Sequence, residues 1–462
     1  MMTRFSLSAV VLALLACGSD STPTSEPVDT IREAPSIFQP ETWTTHLTED
    51  LMPFWMMDEA HGDPVGNFPT FRTMTGEVAT PSDRRPRMLG RQTFAYSIAY
   101  ALTGDPDYLR LAKAGAEWIL EHARDPQGGF HSGLRQDGTP RELEPAKWAQ
   151  DTSYALLGLA AYLFITRDAD AEAAILAGRD LLFSTYWDAA NQRIHDGMRA
   201  DLSAPVDQFD DQGYELVAQL DPINAFLLLS QPILSEPARR AQLLEDMRTL
   251  SDTMITQFWR DGIFWGIHNK QGQYGTRHVD YGHTLKAYWM IHQVDKRLPD
   301  RPFRSFIESN VGSWILKAYD APNGRWAQRM TSRTVNQYGV DWWVYAEADQ
   351  IAATMSMNGI WFELQLEATA QNWLDDFVDH DRGKELIPSV RRDGTGYGWS
   401  DTDKAKCNEW KNGYHSVEHA MVMTIFSSWR TNRPLELHFA VPADVADSFI
   451  ATPYFYSGTE KS

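Results

Sequence analysis

The chain has 462 residues, of which 43% are hydrophobic, so it is long enough to bury a sizeable core and its composition excludes a disordered protein. A formal net charge of −20 excludes a nucleic-acid-binding protein, because binding to phosphates needs clustered Lys and Arg. The 17 tryptophans can supply core side chains as well as flat apolar faces on which sugar rings stack.

The N-terminal residues indicate an exported protein that is attached to a membrane. Arg4 precedes an uncharged stretch, residues 5–16, which is too short to span a bilayer but fits the apolar region of a signal peptide. It ends in Leu14-Leu15-Ala16-Cys17-Gly18, which resembles the lipobox of bacterial lipoproteins. This resemblance implies that residues 1–16 are a signal peptide and that Cys17 is lipidated, which places the protein in the bacterial cell envelope. The alternative is an ordinary secretory signal with a cysteine there by chance.

The segment that follows is expected to be a flexible tether. Residues 17–40 are rich in Ser, Thr, Pro, Asp and Glu and contain few large apolar side chains, so they cannot bury enough surface to fold. If Cys17 carries lipid, the second cysteine, Cys407, has no partner for an intramolecular disulfide. We expect Cys407 to be a buried structural thiol.

The remaining chain is predicted to be almost entirely helical. Apolar residues recur at helical spacing in eleven segments, namely residues 93–102, 108–120, 148–164, 171–183, 214–229, 238–258, 283–294, 303–318, 342–355, 367–377 and 415–429. Alternation typical of strands is scarce. Pro and Gly cluster between the helical segments, so no second domain boundary is predicted after Pro40.

Four loops between the helices repeat an Asp followed by a Gly or an aromatic residue. Their aspartates are Asp125, Asp188, Asp261 and Asp320, which gives a period of about 60 residues, longer than that of common helical solenoids. One such period fits a helical hairpin with a long loop. We therefore predict an all-α fold, an (α/α)6 barrel of six hairpins over residues 41–435, followed by an extended C-terminal tail at 436–462. The alternative, an open solenoid, requires polar capping repeats, and the sequence shows none.

Two histidines begin apolar helical segments and suggest a paired acid/base site. His283 follows Tyr281-Gly282, and His415 follows Gly413-Tyr414. A neutral imidazole accepts a proton near pH 7 and an imidazolium returns it.

These residues belong to an ordered set of motifs that resembles the N-acylglucosamine 2-epimerase and cellobiose 2-epimerase superfamily. The motifs cover most of residues 87–429 and are, in order, Met88-Leu89-Gly90-Arg91-Gln92, Gly128-Gly129-Phe130, Gly282-His283-Thr284-Leu285, Trp342-Trp343 with Glu347, and Glu409-Trp410-Lys411 with Tyr414-His415. The resemblance implies an (α/α)6 barrel that acts on a reducing sugar, with no redox cofactor and no metal.

Carried over position by position, the resemblance also implies roles for particular residues. His283 and His415 would carry protons, Arg91 would stabilise a developing oxyanion, and Glu347 would orient an imidazole or bind hydroxyl groups. The expected substrate-binding residues are Trp343, Trp410, Asp221, Asn224 and Tyr414.

The chain departs from the family pattern at three places. Lys286 stands where the family has a glutamate, and Glu418 stands where it has an arginine, so both local charges are reversed. The region of a further family histidine, residues 219–226, contains no imidazole. These departures leave the barrel intact but put unaltered 2-epimerase chemistry in question.

Three other functions compete with this interpretation. His415-Ser416-Val417-Glu418-His419 matches the inverted zincin pattern of a zinc protease, although no suitable downstream ligand follows. A glycoside hydrolase or polysaccharide lyase on the same barrel would use acids from the set Asp151, Asp221, Asp280, Asp341 and Glu409. The third alternative is a noncatalytic glycan-binding barrel.

Overall fold

The structure is a computed structural model that describes residues 3–8, 33–80, 83–141, 143–206, 214–396, 405–443, 445 and 449–461. Cys17 and residues 9–32, which include most of the expected tether, lie outside the described residues. Within the described ranges no helix is long and apolar enough to cross a bilayer.

Helices dominate the described chain. They are α1 (Pro40–Thr45), α2 (Met52–Trp55), α3 (Asp58–His61), α4 (Pro86–Thr103), α5 (Pro106–Trp118), α6 (Ala149–Thr166), α7 (Ala169–Leu181), α8 (Ile223–Ser230), α9 (Pro237–Thr253), α10 (Tyr281–Arg297), α11 (Arg304–Ala318), α12 (Trp342–Met357), α13 (Glu363–Asn372) and α14 (Tyr414–Arg430). Short 3₁₀ turns lie at Ser36–Phe38 and Leu216–Ala218.

Six of these helices close into an inner ring. The helices α4, α6, α8, α10, α12 and α14 each contact the next, and α14 contacts α4, which completes the circle. Their residues are buried on all sides, as expected for helices that are enclosed by others. The helices α5, α7, α9, α11 and α13 pack outside them, and α1 packs on α14 as the sixth outer helix. The predicted (α/α)6 barrel is therefore confirmed.

Two glycines allow the first two inner helices to pack closely. A Cβ atom on Gly90 of α4 would lie 2.2 Å from the carbonyl oxygen of Tyr154, and one on Gly158 of α6 would lie 2.3 Å from the carbonyl oxygen of Gly90. Only the absence of both side chains permits this backbone approach. The close packing brings Arg91, the residue after Gly90, against the face of α6.

The loop repeat found in the sequence is in part a structural repeat. The loops at Asp125, Asp188 and Asp261 each follow a π-helical turn, whereas the loop at Asp320 follows α11 directly. Four outer helices, α5, α7, α9 and α13, end in a π-helical turn, at Ile119–Ala123, Leu182–Tyr186, Met254–Phe258 and Trp373–Phe377. Antiparallel pairing follows each turn, as in Trp187–Asp188 with Arg193–Ile194 and Trp259–Arg260 with Ile263–Phe264. A fifth π-helical turn, His46–Leu51, lies between α1 and α2.

The strands are short and lie in the connections. They are β1 (Thr3–Ser8), β2 (Gly133–Leu134), β3 (Pro140–Arg141), β4 (Ala146–Trp148), β5 (Trp187–Asp188), β6 (Arg193–Ile194), β7 (Gly197–Arg199), β8 (Pro205–Val206), β9 (Trp259–Arg260), β10 (Ile263–Phe264), β11 (Tyr319–Asp320), β12 (Arg325–Trp326), β13 (Arg329–Ser332), β14 (Val335–Gln337), β15 (Val340–Asp341), β16 (Ser389–Val390), β17 (Leu435–Phe439) and β18 (Thr459–Lys461). In an antiparallel sheet of order β17-β1-β18, Phe5 pairs with Leu437 and Leu7 with Leu435.

The segment after the last inner helix returns to the barrel. The Tyr454 hydroxyl donates a hydrogen bond to Glu418, and the ring of Phe455 lies 5.7 Å from that of Trp289. Tyr454 and Phe455 are buried. The C-terminal segment therefore packs into the core of the barrel.

Candidate active site

A cavity of about 690 Å³ opens where the inner helices begin. Its wall carries Arg91 near the start of α4, Asp151 and Tyr154 of α6, His283 and Lys286 of α10, Trp342 and Trp343 of α12, and His415 of α14. Because all of these residues lie in the first two turns of their helices, the barrel presents them at one end. We call this end the mouth.

His283 is held by the residue that begins its helix. The Asp280 carboxylate caps α10 by accepting the backbone N–H of His283 at 2.7 Å, and its other oxygen lies 2.7 Å from His283 Nδ1. Burial would raise the pKa of Asp280, but the adjacent His283 lowers it below its ordinary value. Nδ1 is thus engaged, which leaves Nε2 to face the cavity.

His415 lies in a different electrostatic setting. Its Nδ1 is 3.3 Å from an oxygen of Glu347, and both residues are buried. Burial, together with the positive charges of Lys286 and Arg91, lowers the pKa of His415 well below its ordinary value. The imidazole is therefore neutral at pH 7 and able to accept a proton.

Lys286 joins two carboxylates beside His415. Its Nζ lies 2.6 Å from Glu347 Oε1 and 3.0 Å from Asp221 Oδ2. Burial would lower the pKa of Lys286, but the two carboxylates outweigh it and raise that pKa. The ammonium group consequently stays charged in a site from which water is largely excluded.

Glu347 has an unusually high proton affinity. Burial raises its pKa, Lys286 lowers it, and the nearby carboxylates of Glu418 and Asp221 raise it again, to about 8. The usual order of carboxyl and imidazole pKa values is thus reversed for Glu347 and His415. Pairs of ionisable groups whose pKa values are shifted in opposite directions by their surroundings are typical of acid/base sites.

Arg91 spans the cavity from α4. Its Nη1 donates to the backbone carbonyl of Trp410 at 2.5 Å, and its guanidinium lies 3.8 Å above the ring of Tyr154. The Tyr154 hydroxyl in turn donates to Asp221 Oδ2 at 2.8 Å. These contacts connect Arg91 to the Lys286 cluster.

Trp343 lies between the two histidines. Its ring is 4.8 Å from that of His283 and 6.1 Å from that of His415. Trp410 is 54% exposed at the mouth, with the guanidinium of Arg87 4.7 Å from its ring. One indole is therefore positioned between the imidazoles and another at the entrance.

The structure brings together most, but not all, of the residues expected from the sequence. His283, His415, Arg91, Trp343, Trp410 and Asp221 line the cavity, and Glu347 lies directly behind His415. Two expected sugar-binding residues do not reach the wall. The Asn224 amide donates to the carbonyls of Gln219 and Leu220, and the Tyr414 ring packs among Phe94, Tyr154 and His415.

A second group near His283 escaped the sequence analysis. The ring of His278 lies 4.7 Å from that of His283, and its Nε2 is 3.6 Å from Glu215 Oε1. His278 has a left-handed backbone, with φ of 58°, which histidine adopts only rarely. Its position five residues before His283 could have indicated a place in the site. No sequence pattern, however, predicts the loop conformation that turns its ring toward the cavity.

The zinc-protease pattern does not form a two-histidine site. His419 Nε2 is 2.9 Å from Asp349, and its ring lies 4.2 Å from that of Trp373, away from His415. In the described chain, the group with the spacing of metal ligands is Glu347, His415 and Glu418, whose ligand atoms lie within 4.8 Å of one another. The Lys286 ammonium beside Glu347 opposes a cation there.

The five acids of the hydrolase alternative all line the cavity, and each has a partner. Asp151 pairs with Arg87 at 2.8 Å and Glu409 with Arg85 at 3.0 Å. Asp341 accepts a hydrogen bond from Gln328 at 3.0 Å, while Asp221 and Asp280 are held as described above. Each of these carboxylates is therefore already engaged by a fixed partner.

Residues 66–215 match the model of the N-acylglucosamine 2-epimerase family. The predicted family resemblance is confirmed. A cellobiose 2-epimerase of Bacteroides fragilis is 22% identical to this chain over 394 residues, which are 80% of the chain and 94% of that protein. The region that matches the family model, residues 66–215, contains Arg91, whereas His283 and His415 lie beyond it.

Solved structures of similar proteins share the fold. The cellobiose 2-epimerase of Spirochaeta thermophila has a TM-score of 0.75 and 20% identity, with 87% of this chain and 99% of that one covered. A D-mannose isomerase has a TM-score of 0.71 and 17% identity, with 85% and 99% covered. The fold of these solved structures thus extends over most of the chain.

Proposed function

We propose that this protein is a sugar 2-epimerase or aldose–ketose isomerase that acts on a reducing mono- or oligosaccharide. The observation that carries the proposal is the pair of imidazoles in one cavity, each beside a carboxylate. His283 Nδ1 is hydrogen-bonded to Asp280, and His415 Nδ1 lies 3.3 Å from an oxygen of Glu347. The similarity to a cellobiose 2-epimerase supports the same reaction class.

The chemistry explains why two imidazoles are needed. In the open-chain form of a reducing sugar, the hydrogen on C2 is acidic because the adjacent aldehyde accepts the electron pair. Its removal gives an enediolate. Return of the proton to the opposite face of C2 inverts that centre, whereas its return to C1 gives a ketose.

In this proposal His415 is the base and His283 the opposing acid. His415 is neutral and buried, so it accepts the C2 proton without first losing one. His283, held through Nδ1, presents Nε2 from α10 to deliver a proton from another side. In the reverse reaction His283 acts as the base and His415 as the acid, so that the product is converted back to the substrate, as an epimerase requires.

Two cations are placed to stabilise the enediolate oxygens. Arg91 and Lys286 both line the cavity, and Lys286 keeps its charge. Fixed positive groups in a site with little water stabilise developing negative charge, and loss of one such group typically reduces turnover about 10²–10³-fold. The Trp343 and Trp410 rings offer apolar faces for the sugar.

Incubation with reducing mono- and disaccharides in heavy water tests the reaction. We expect deuterium to appear at C2 of the recovered sugar, or at C1 of a ketose, together with the new isomer. New reducing ends without deuterium would instead indicate hydrolysis, and an unchanged sugar that still binds would indicate a glycan-binding protein.

Substitution of the histidines tests the assignment. We expect His283→Ala and His415→Ala each to lower kcat at least about 10²-fold with the fold retained, because positioned acids and bases contribute about 10²–10⁴. His380→Ala, at an exposed residue, is the matched control and is expected to keep full activity. Wild-type turnover in either cavity variant would refute the assignment.

We further propose that the protein is a lipoprotein of the bacterial cell envelope, anchored through Cys17. The sequence of residues 14–18 and the tether-like composition that follows support this proposal. Intact mass analysis of the membrane fraction is expected to show loss of residues 1–16 and acyl chains on Cys17. Cys17→Ala is expected to remain unprocessed, and an unmodified mature Cys17 would contradict the proposal.

A further inference from the structure

The barrel has a second end, opposite the mouth, which the proposed reaction does not use. The inner helices finish there, and on α14 Trp429 follows His415 by fourteen residues, about 21 Å along the axis at 1.5 Å per residue. The loop between α12 and α13 and the turn after α6 lie at this same end. We call it the closed end.

Large apolar side chains are exposed at the closed end. Trp361 is 64% exposed and Leu364 69%, and they lie three residues apart where α13 begins. Ile450 is 71% exposed, and its carbonyl accepts a hydrogen bond from Arg167, the residue that ends α6. Trp361 and Leu364 lie beyond the end of α12, and Ile450 lies at the end of α6 on the other side of the ring. We call these three exposed side chains of the closed end together the apolar patch.

The last residues of the segment predicted to be a tether pack on the barrel near Trp361, so the flexible part cannot extend to residue 40 as expected. The ring of Phe38 lies 5.0 Å from that of Phe426, Phe426 lies 5.8 Å from Trp429, and Trp429 lies 5.9 Å from Trp361. The 3₁₀ turn Ser36–Phe38 also packs on α13 and α14. The chain that follows Cys17 is therefore fixed to the body by Ser36, at the same end as the exposed side chains.

We propose that the apolar patch lies on the lipid bilayer that holds the anchor, so that the mouth faces away from the membrane. This inference rests on the proposed lipidation of Cys17. Indole rings favour the boundary between lipid and water, and Leu364 and Ile450 add aliphatic surface at the same end of the barrel. Because the tether keeps the body close to the membrane, a patch of three side chains is sufficient to orient it.

The charges around the patch indicate that attraction to anionic lipid is not needed. Arg430 is bonded to Glu363 at 2.8 Å, and Arg433 is bonded to Glu41. These two arginines are thus paired with carboxylates, whereas Arg167 beside Ile450 donates to backbone carbonyls. We expect the orientation to be similar on zwitterionic and anionic vesicles and to persist in high salt.

Single labels on the two ends test the orientation. The native lipidated protein, with Leu364→Cys or Thr334→Cys labelled by an environment-sensitive fluorophore, is reconstituted into phosphatidylcholine vesicles that contain chain-brominated lipid. Thr334 is exposed in the turn between β13 and β14 at the mouth, and Cys407 is buried. We expect the Leu364→Cys label to be quenched severalfold more than the Thr334→Cys label.

The alternative outcomes are distinct. Equal quenching of both labels, or no quenching of either, would overturn the proposed orientation. It would also be overturned if, without vesicles, the protein self-associates and the Leu364→Cys label is buried in the contact between two copies. A Trp361→Ser/Ile450→Ser variant is expected to lose the difference while it keeps its lipid and its activity. An intact mass without acyl chains would refute the anchor itself, before any vesicle is used.

Discussion

At the scale of single residues, the site is governed by one buried cation among carboxylates. Lys286 contacts Asp221 and Glu347, and Glu347 reaches His415. Removal of a charge from such a cluster leaves its partners without a counter-charge, at a cost of about 3–5 kcal/mol. The protonation of Glu347 and of His415 is therefore linked to Lys286.

We predict that Lys286→Met lowers both stability and turnover, the stability by about 3–5 kcal/mol and kcat about 10²–10³-fold. The double variant Lys286→Met/Glu347→Gln, which removes one of the carboxylates as well, is expected to recover part of the stability but not the turnover. Thermal unfolding and kcat measure the two effects. Recovery of both in the double variant would show that Lys286 serves only to balance charge.

The pH dependence of kcat/KM is expected to follow from the ionisation of Glu347. Its pKa of about 8 means that it is protonated below that pH and ionises above it. An ionised Glu347 adds negative charge beside the negative enediolate, so we expect kcat/KM to fall as the pH rises through about 8. In Glu347→Gln this alkaline fall should disappear, and its persistence would assign it to another group. Because the pKa of His415 is lowered, we expect the decrease in kcat/KM on the acidic side to occur well below pH 6.5.

How far the sequence predicts the site depends on which face each residue presents. Arg91, His283 and His415 were found because their motifs occur in a fixed order. Tyr414, next to His415, was also expected in the cavity, yet adjacent helical residues point about 100° apart and its ring faces the core. No motif reveals that difference.

At the scale of elements, the close contact of α4 with α6 positions Arg91. We predict that Gly158→Ala destabilises the protein by about 1–3 kcal/mol, because the new Cβ meets the backbone of α4 and the helices must separate. The displacement should also lower kcat/KM. Denaturant unfolding and steady-state kinetics measure both.

Gly312 in α11 provides the matched control. A Cβ there would meet only Phe362, at 3.6 Å, so Gly312→Ala is expected to be neutral or to stabilise by up to about 1 kcal/mol. Equal effects of the two substitutions would contradict the packing argument.

The helices were predictable where their apolar periodicity is long and uninterrupted. The segment predicted at 214–229 is a helix only over Ile223–Ser230, because Pro222 and the turns before it break the regular structure. The sixth outer helix was missed altogether. It is formed by α1 with the π-helical turn and α2, pieces too short, and interrupted by Pro53, to show a period.

At the scale of the whole molecule, the C-terminal segment is part of the barrel. Tyr454 bonds Glu418, Phe455 contacts Trp289, and the Tyr456 hydroxyl lies 2.8 Å from that of Thr354. We predict that deletion of residues 449–462 lowers the melting temperature by several degrees and reduces activity, since Glu418 beside the site loses its partner. Ser457→Ala, at an exposed residue of the same segment, is the control and should change neither.

The same packing has a consequence for how large molecules use the enzyme. Because Tyr454 and Phe455 are buried in the core, the cavity that the described residues form opens at the mouth. In the proposed reaction a long glycan would then enter with its reducing terminus first and leave by the same route. Interior sugar units of a polymer would not reach the two histidines. Product that remains bound at the entrance would delay binding of the next substrate molecule.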